Sequence, residues 1–154
     1  MNMRCPPSIP WCTKVVLGFG LIGHFALLAF QPQLLPTLFR LPYPLFLGLV
    51  LVGGAINLGH YLLLERALKT HREARLVTAG GLFTWLRHPM YLGDGLLYLG
   101  FAVYPATPIS LAAYAIAACA LLSQARREDA AMAAAFSAEH DAWRRRSWLL
   151  LPGL

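Results

Sequence analysis

Four long apolar stretches, separated by short polar or proline-rich segments, dominate the chain. They run roughly over residues 15–30, 45–64, 89–104 and 109–125. At 1.5 Å per residue the second stretch reaches the ~30 Å of a hydrocarbon core, while the other three need flanking residues, such as a snorkelling Lys14, to span. The pattern predicts an all-α polytopic membrane protein with about four transmembrane helices.

Proline-rich turns predict how these helices pair. Residues 31–44 carry four prolines, and a second tight turn, Tyr-Pro-Ala-Thr-Pro, occupies residues 104–108. Such segments end helices and favour hairpin loops. We therefore expect two helical hairpins within a single membrane domain, 1–154. The expected boundaries are 1–64 for the first hairpin, 65–88 for a polar cytoplasmic connector, 89–125 for the second hairpin and 126–154 for a C-terminal helix and tail.

The last segment, 126–154, has a different periodicity. Apolar and acidic side chains recur there at three- and four-residue spacing, at Glu128, Met132, Phe136, Glu139 and Trp143. This spacing predicts an amphipathic cytoplasmic helix that lies against the inner face of the bundle or the lipid headgroups.

Composition supports a lipid environment and narrows the class of protein. Of the 154 residues, 58% are hydrophobic and 13% are charged, whereas soluble chains carry ~25% charged residues. Three cysteines without CxxC spacing exclude a zinc knuckle or a disulfide framework. The basic residues that give the net charge of +6 lie beside apolar segments, so they are better explained by orientation in a lipid bilayer than by binding of nucleic acid. We do not expect nucleic acid as a partner.

Basic residues predict the orientation, because lysine and arginine near span ends are retained on the cytoplasmic side. With both termini inside, twelve of the thirteen basic residues lie on the inner face and only Arg40 lies outside. No A-x-A-like cleavage site follows Phe30, so the first apolar stretch is expected to be a retained span and not a signal peptide. The chain is expected in the cell's inner (plasma) membrane with both termini cytoplasmic.

Two polar clusters are expected to meet at the cytoplasmic level. Residues 84–94 begin the third apolar stretch and residues 126–129 follow the fourth, and the short turn between these helices makes their cytoplasmic ends neighbours. Asp94 lies about a turn and a half inside the span, where a carboxylate is costly unless it is paired or wet. Two interpretations of Asp94 are open. It can form an ion pair with Arg87 or Arg126 that stabilises the hairpin, or it can have a functional role.

The clusters carry a resemblance to known enzymes. The run Gly-Leu-Phe-Thr-Trp-Leu-Arg-His-Pro-Met-Tyr-Leu-Gly over 81–93, a hairpin, and then Arg127-Glu128-Asp129 with Met132 and Phe136 resembles the isoprenylcysteine carboxyl methyltransferase family and its phospholipid methyltransferase relatives. The resemblance covers about residues 78–151. It departs from the family pattern at six positions: Leu82, Phe83, Asp129, Ser137, and His140 and Trp143, which stand where two tyrosines are usual.

The resemblance implies methyl transfer from S-adenosyl-L-methionine at the inner face of the membrane, without a Rossmann domain and with the C-terminal helix covering the cofactor. His88 would hold the cofactor carboxylate, Glu128 its ammonium, and Tyr91 would cover the adenosine. The cofactor-binding residues implied are Arg87, His88, Pro89, Tyr91, Gly93, Glu128 and Asp129. The acceptor would be a lipid-like or small hydrophobic molecule bearing a carboxylate, thiol, phenol or amine.

Three further residues are candidates for catalysis. Arg127 can orient Glu128 or a substrate anion, and Asp94 can position a ligand. His140 can act as a general base for an acceptor that must lose a proton, although a solvated histidine on an amphipathic helix is the alternative. No H-x-x-x-H pair occurs, and no metal site is expected.

Two other classes of protein compete with this interpretation. Membrane reductases of the sterol or 5α-steroid type share an Arg-His-Pro-x-Tyr-x-Gly run and use NADPH, but they are longer and have more spans. A non-enzymatic tetraspan protein would use the polar clusters only to staple helices. Transport proteins usually place such residues near the bilayer midplane, whereas here they cluster at one face.

Overall fold

The computed structural model describes residues 8–70 and 81–152. Within these ranges the regular structure is helical, which confirms the all-α prediction. The elements are α1 (Ile9–Phe30), α2 (Tyr43–Thr70), a 3₁₀ turn (Gly81–Thr84), α3 (Pro89–Val103), α4 (Pro108–Ala135) and α5 (Ser137–Arg144).

Three helices in the described ranges are long and apolar enough to cross a membrane, namely α1, α2 over Tyr43–Arg66, and α4. The prediction of a helical polytopic membrane protein is confirmed, but one of the four expected spans is short. With 15 residues, α3 is about 22 Å long, because it begins at Pro89 and ends before the Tyr104-Pro105 turn. It is instead enclosed by the other three helices, which all contact it.

The helices α1 and α4 are longer than their apolar stretches because of their capping residues and composition. Ser8 caps α1 by accepting a hydrogen bond from the Trp11 amide at 3.2 Å, so this helix starts six residues before the apolar stretch does. Thr107 and Ser110 form a capping box at the start of α4, which satisfies two of the amides that every helix start leaves unpaired.

The C-terminal region differs from the predicted single amphipathic helix over 126–154. Because the alanine-rich sequence favours helix, α4 continues without a break to Ala135, and the chain turns at Phe136 before the eight-residue α5. The expected connector, 65–88, also begins differently, since α2 continues to Thr70. Its central part, 71–80, lies outside the described residues.

The helices are not arranged as two separate hairpins. α2 packs mainly against α3, while α1 packs against α4 and, less extensively, α3. α1 and α2 meet near the end where they are joined, where the rings of Phe25 and Phe46 stack with centroids 5.3 Å apart. The far end of the bundle, where loops join α1 to α2 and α3 to α4, thus carries an aromatic cluster that also includes Phe101 and Tyr104.

Two glycines permit the close approach of α2 and α3. A Cβ placed on Gly93 would lie 2.8 Å from the carbonyl oxygen of Gly53 and 2.1 Å from the side-chain oxygen of Asn57. These distances leave no room for a methyl group without moving a backbone. Gly93, expected to bind the cofactor, therefore serves helix packing here.

Gly93→Ala is expected to lower the free energy of unfolding by about 1–3 kcal/mol, the usual cost of overpacking a buried contact. Thermal unfolding of the detergent-purified protein measures the effect. Gly95→Ala is the matched control, because its Cβ would meet nothing closer than Leu121 at 3.9 Å. Equal stability of the two variants would show that the helices do not depend on this contact.

Candidate functional site

The two polar clusters meet at the end of the bundle where α3 begins. The antiparallel α3 and α4 bring the segment before Pro89 beside the polar end of α4. The short α5 folds back onto α4 and the 3₁₀ turn. The central contact is an ion pair in which the Arg87 Nε donates to the Asp129 Oδ1 at 2.9 Å.

Arg87 also holds the C-terminal segment in place. Its Nη1 donates to the backbone oxygen of Ser147 at 2.7 Å, and its own amide donates to the Trp148 oxygen at 2.8 Å. The Trp148 amide returns a bond to the Trp85 oxygen at 2.9 Å. Arg87 is buried at 7% exposure, and its Nε and Nη1 are engaged within the protein, so these two nitrogens hold the segments around the site together.

Asp129 is surrounded by cationic and potentially cationic groups. Besides Arg87, it lies 3.0 Å from the His140 Nε2 and 3.8 Å from the His88 Nε2. Removal from water disfavours a carboxylate, but an adjacent guanidinium stabilises its ionised form. The carboxylate therefore links α3, α4 and α5 through a single oxygen atom.

His140 is fully buried at 0% exposure, so the interpretation of it as a solvated surface histidine is wrong. The cause is the fold-back of α5 onto the 3₁₀ turn, where the indole of Trp143 donates to the Phe83 oxygen at 2.8 Å. This contact turns the face of α5 that carries His140 and Trp143 inward.

Glu128, the neighbour of Asp129, has a different environment. Its Oε1 accepts hydrogen bonds from the Tyr91 hydroxyl at 2.6 Å and from the Gln124 side-chain amide at 2.8 Å. Its Oε2 lies 3.7 Å from the His88 Nδ1, and the side chain is 37% exposed. One oxygen is thus fixed by the protein, and the carboxylate as a whole stays accessible.

The remaining motif residues on α3 are enclosed. Pro89 occupies the first turn of α3 and is buried, and the ring of Tyr91 is only 2% exposed. That ring stacks with His88, with centroids 5.7 Å apart. The enclosed ring has no free face to cover an adenosine, so Tyr91 reaches the site only through its hydroxyl.

Asp94 does not pair with Arg87 or Arg126, which excludes one of the two interpretations that the sequence left open. Its Oδ2 lies 3.2 Å from the Nζ of Lys14, and its Oδ1 accepts from the Asn57 side chain at 2.9 Å. Asp94 points toward α1 and α2, whereas Arg87 is bound to Asp129 on the side of α4. Lys14 is accordingly buried at 5% exposure and does not snorkel.

Arg127 lies apart from the other candidates. Its side chain is exposed on an outward face of α4 that it shares with Cys119, Leu122 and Ser123. One residue corresponds to about 100° of helix rotation, which separates this face from that of Glu128. The role of orienting Glu128, expected of Arg127, is filled by Tyr91 and Gln124.

A cleft of about 610 Å³ opens beside the Arg87–Asp129 pair, a size within the usual range for small-molecule sites. Small alanine side chains on α4 leave the space, and two exposed arginines border it. The lining residues are Arg87, Arg126, Asp129, Ala130, Ala133, Arg144 and Leu149.

Three buried histidine nitrogens, the His60 Nδ1, the His88 Nε2 and the His140 Nδ1, have no hydrogen-bond partner among the described residues. Buried polar atoms are normally paired, so these atoms are candidates for contact with a ligand or water. Over residues 8–70 and 81–152, no group of three metal-ligating side chains converges.

Sequence reasoning missed three residues that support the site: Lys14, Asn57 and Gln124. Gln124 precedes Glu128 by four residues, the spacing at which helical side chains contact each other. Lys14 is the one cation within α1, an unusual position that signals a buried partner. Asn57 lies in an apolar stretch in which polar side chains are few.

Comparison with known proteins identifies the family. A family model described as phospholipid methyltransferase matches residues 45–139, a range that contains all but the first two residues of α2, the whole of α3 and α4, and the motif residues Arg87 through Asp129. No curated protein and no solved structure matches the chain. The match covers more than half of the 154 residues, confirms the resemblance carried by the motifs, and favours methyl transfer over the reductase and non-enzymatic alternatives. The chain belongs to the phospholipid methyltransferase family and is an integral membrane methyltransferase.

Proposed function

We propose that the protein transfers a methyl group from S-adenosyl-L-methionine to a lipid-like or small hydrophobic acceptor at the cytoplasmic face of the membrane. The observation that carries the proposal is Glu128, a half-exposed carboxylate held by two donors within the family-matched residues. When bound, S-adenosylmethionine supplies a methyl group on a sulfonium, which is already a good leaving group.

The residues present suit the amino-acid end of that donor, which bears one ammonium and one carboxylate. Glu128 would hold the ammonium, because its Oε2 has no hydrogen-bond donor of its own among the described residues. The Nε2 of buried His88, which has no hydrogen-bond partner and lies 3.8 Å from the Asp129 Oδ1, would turn to the cofactor carboxylate, with the exposed Arg126 at the cleft as a second cation. Glu128 and His88 do not line the cleft, but the imidazole of His88 lies 3.7 Å from Glu128 and 3.8 Å from Asp129, which does line it. A zwitterionic ligand would thus extend from the cleft to the carboxylate of Glu128.

The other motif residues would act by positioning and by excluding water. Arg87, Asp129 and His140 tie α5 and the C-terminal segment to α3 and thereby close one wall of the site. Methyl transfer depends chiefly on alignment and desolvation of the reacting groups, so a rigid enclosure supplies much of what the reaction needs.

The buried position of His140 bears on the type of acceptor. Its Nε2 faces Asp129 at 3.0 Å, which supports a positioning role over that of a general base. A carboxylate acceptor needs no base, whereas a phenol, thiol or amine must lose a proton. Arg127, on the outward face of α4, would meet anionic lipid headgroups instead of the donor.

The acceptor would enter from the inner leaflet. The site lies at the end of the bundle where the basic residues cluster, and α4, which borders the cleft, is long and apolar enough to cross a membrane. A hydrophobic acceptor can thus partition into the bilayer first and reach the cleft beside α4 laterally, while a water-soluble methyl donor arrives from the cytosol.

Glu128→Gln should weaken binding of S-adenosylmethionine by about 1.5–3 kcal/mol, because it removes a charge-assisted hydrogen bond while keeping the side-chain size. Equilibrium binding of the labelled donor to detergent-purified protein measures this. Glu139→Gln, a neutralised exposed carboxylate on α5, is the matched control and should bind like the parent. Undiminished affinity of folded Glu128→Gln would refute the role of Glu128, and tight binding of NADPH in place of the donor would refute the function.

Reporter fusions test the proposed orientation. A reporter after Gln33, between α1 and α2, should give an external signal, and one after Leu154 a cytoplasmic signal, because the basic residues favour retention of the site's end inside the cell. An external signal from the C-terminal fusion would place the site away from cytosolic donor and contradict the orientation.

A further inference from the structure

We propose that α1 positions the carboxylate of Glu128 and so sets the affinity for the methyl donor. Two residues of the N-terminal region position this carboxylate. Lys14 acts through Tyr91 on α3, and Ser8, which caps α1, acts through Gln124 on α4. The inference rests on the proposed function, in which Glu128 holds the donor ammonium. α1 lies outside the matched residues 45–139, so the family match does not account for this role.

The first route runs from Lys14 to the ring of Tyr91. The Lys14 Nζ lies 4.3 Å from the ring centroid and 3.2 Å from the Asp94 Oδ2. A desolvated cation against an aromatic face is attracted to it, and the carboxylate of Asp94 keeps the ammonium at that place. Lys14 therefore holds the ring whose hydroxyl donates to Glu128.

The second route runs from Ser8 to Gln124. The Ser8 hydroxyl donates to the side-chain oxygen of Gln124. An amide has one oxygen and one NH₂ group, so a donor on the oxygen orients the NH₂ group the other way. That NH₂ group donates to the Glu128 Oε1 at 2.8 Å.

Both routes end on the same atom. The Oε1 of Glu128 accepts from Tyr91 and from Gln124, and both donors are held by residues at the start of the chain. The Oε2 atom is left 3.7 Å from the His88 Nδ1. Fixing one oxygen by two donors determines where the other lies, which is the pre-organisation that tight binding requires.

A purely structural role for Lys14 is the alternative. In that case its pair with Asp94 would only dock α1 on α3, and any variant that keeps the protein folded would bind the donor normally. Lys14→Met combined with Asp94→Asn separates the two roles. It removes both charges, so no unpaired charge is buried, but it also removes the cation from the ring of Tyr91.

The experiment is a double-mutant cycle on donor affinity in the full-length, detergent-purified protein. The paired variant of Lys14 and Asp94 should weaken equilibrium binding of S-adenosylmethionine by about tenfold, the order expected when a charged hydrogen bond is lost. In the Glu128→Gln background the same change should have an effect of less than about twofold, because residues that act through one another are not additive. An equal loss in both backgrounds would overturn the inference.

Two further variants keep the cycle decisive. Ser8→Ala repeats the test through the second route if the paired variant fails to fold, with an expected loss of about threefold that also disappears in the Glu128→Gln background. His24→Leu is the control, because it removes the 3.1 Å contact of α1 with Thr107 at the far end of the bundle. A loss of affinity in His24→Leu equal to that in Ser8→Ala would show that loosening α1 anywhere is sufficient, and would overturn the inference.

A measurement without the donor distinguishes failure of the inference from failure of the proposed function. Tyrosines are replaced by 3-fluorotyrosine, and the ¹⁹F resonance of Tyr91 is assigned by its loss in Tyr91→Phe. Both the paired variant and Glu128→Gln should shift this resonance, because each changes a direct contact of the ring or its hydroxyl. A parent protein that does not bind S-adenosylmethionine refutes the function, whereas a Tyr91 resonance insensitive to the paired variant refutes the positioning by Lys14.

Discussion

The ion pair between Arg87 and Asp129 is the contact on which the rest of the site depends. It joins the start of α3 to the end of α4, and the same guanidinium binds the backbone of the C-terminal segment at Ser147. Burying either charge without its partner would cost a large free energy, so the two residues stay paired as long as they are buried. This pairing holds α5 and the C-terminal segment in their closed arrangement.

Adjacent carboxylates on α4 have different tasks because they lie on different faces of the helix. Asp129 points toward Arg87 and His140 and has a side chain 15% exposed, whereas Glu128 points toward Tyr91 and is 37% exposed. Asp129 joins parts of the protein to one another, whereas one oxygen of Glu128 accepts no hydrogen bond from the described residues. In the proposed function, two acidic residues adjacent in sequence would thus provide one structural and one binding carboxylate.

The helical class, the membrane location and the meeting of the two polar clusters could be predicted from sequence because each depends on local signals. Apolar length, proline turns and the short connection between α3 and α4 are read directly from the residues. The extent of α4 was harder, since its apolar part ends near Ala125 but its alanines carry the helix to Ala135. Helix propensity there outweighed the change in hydrophobic pattern.

The partners of individual side chains could not be predicted, because they depend on helix rotation and on which helices pack together. A pair of Asp94 with Arg87 or Arg126 was one of two interpretations open from sequence, but the rotation of α3 directs Asp94 to Lys14, 80 residues away in sequence. The expectation of a solvated His140 came from the amphipathic pattern of its own helix, whereas its burial follows from the fold-back of α5 onto Phe83.

These long-range contacts have one physical cause, which is the small number of charged side chains in the protein. A membrane chain with seven acidic residues has few ways to neutralise a buried cation, so Lys14 and Arg87 each engage a specific carboxylate and thereby determine which helices are neighbours. Lys14 pairs with Asp94, and Arg87 pairs with Asp129. Within residues 8–70 and 81–152, no lysine or arginine forms a salt bridge with Glu128, and the imidazole of His88 lies 3.7 Å from it. In the proposed function, Glu128 is therefore the carboxylate of the site that would bind the ammonium of the methyl donor.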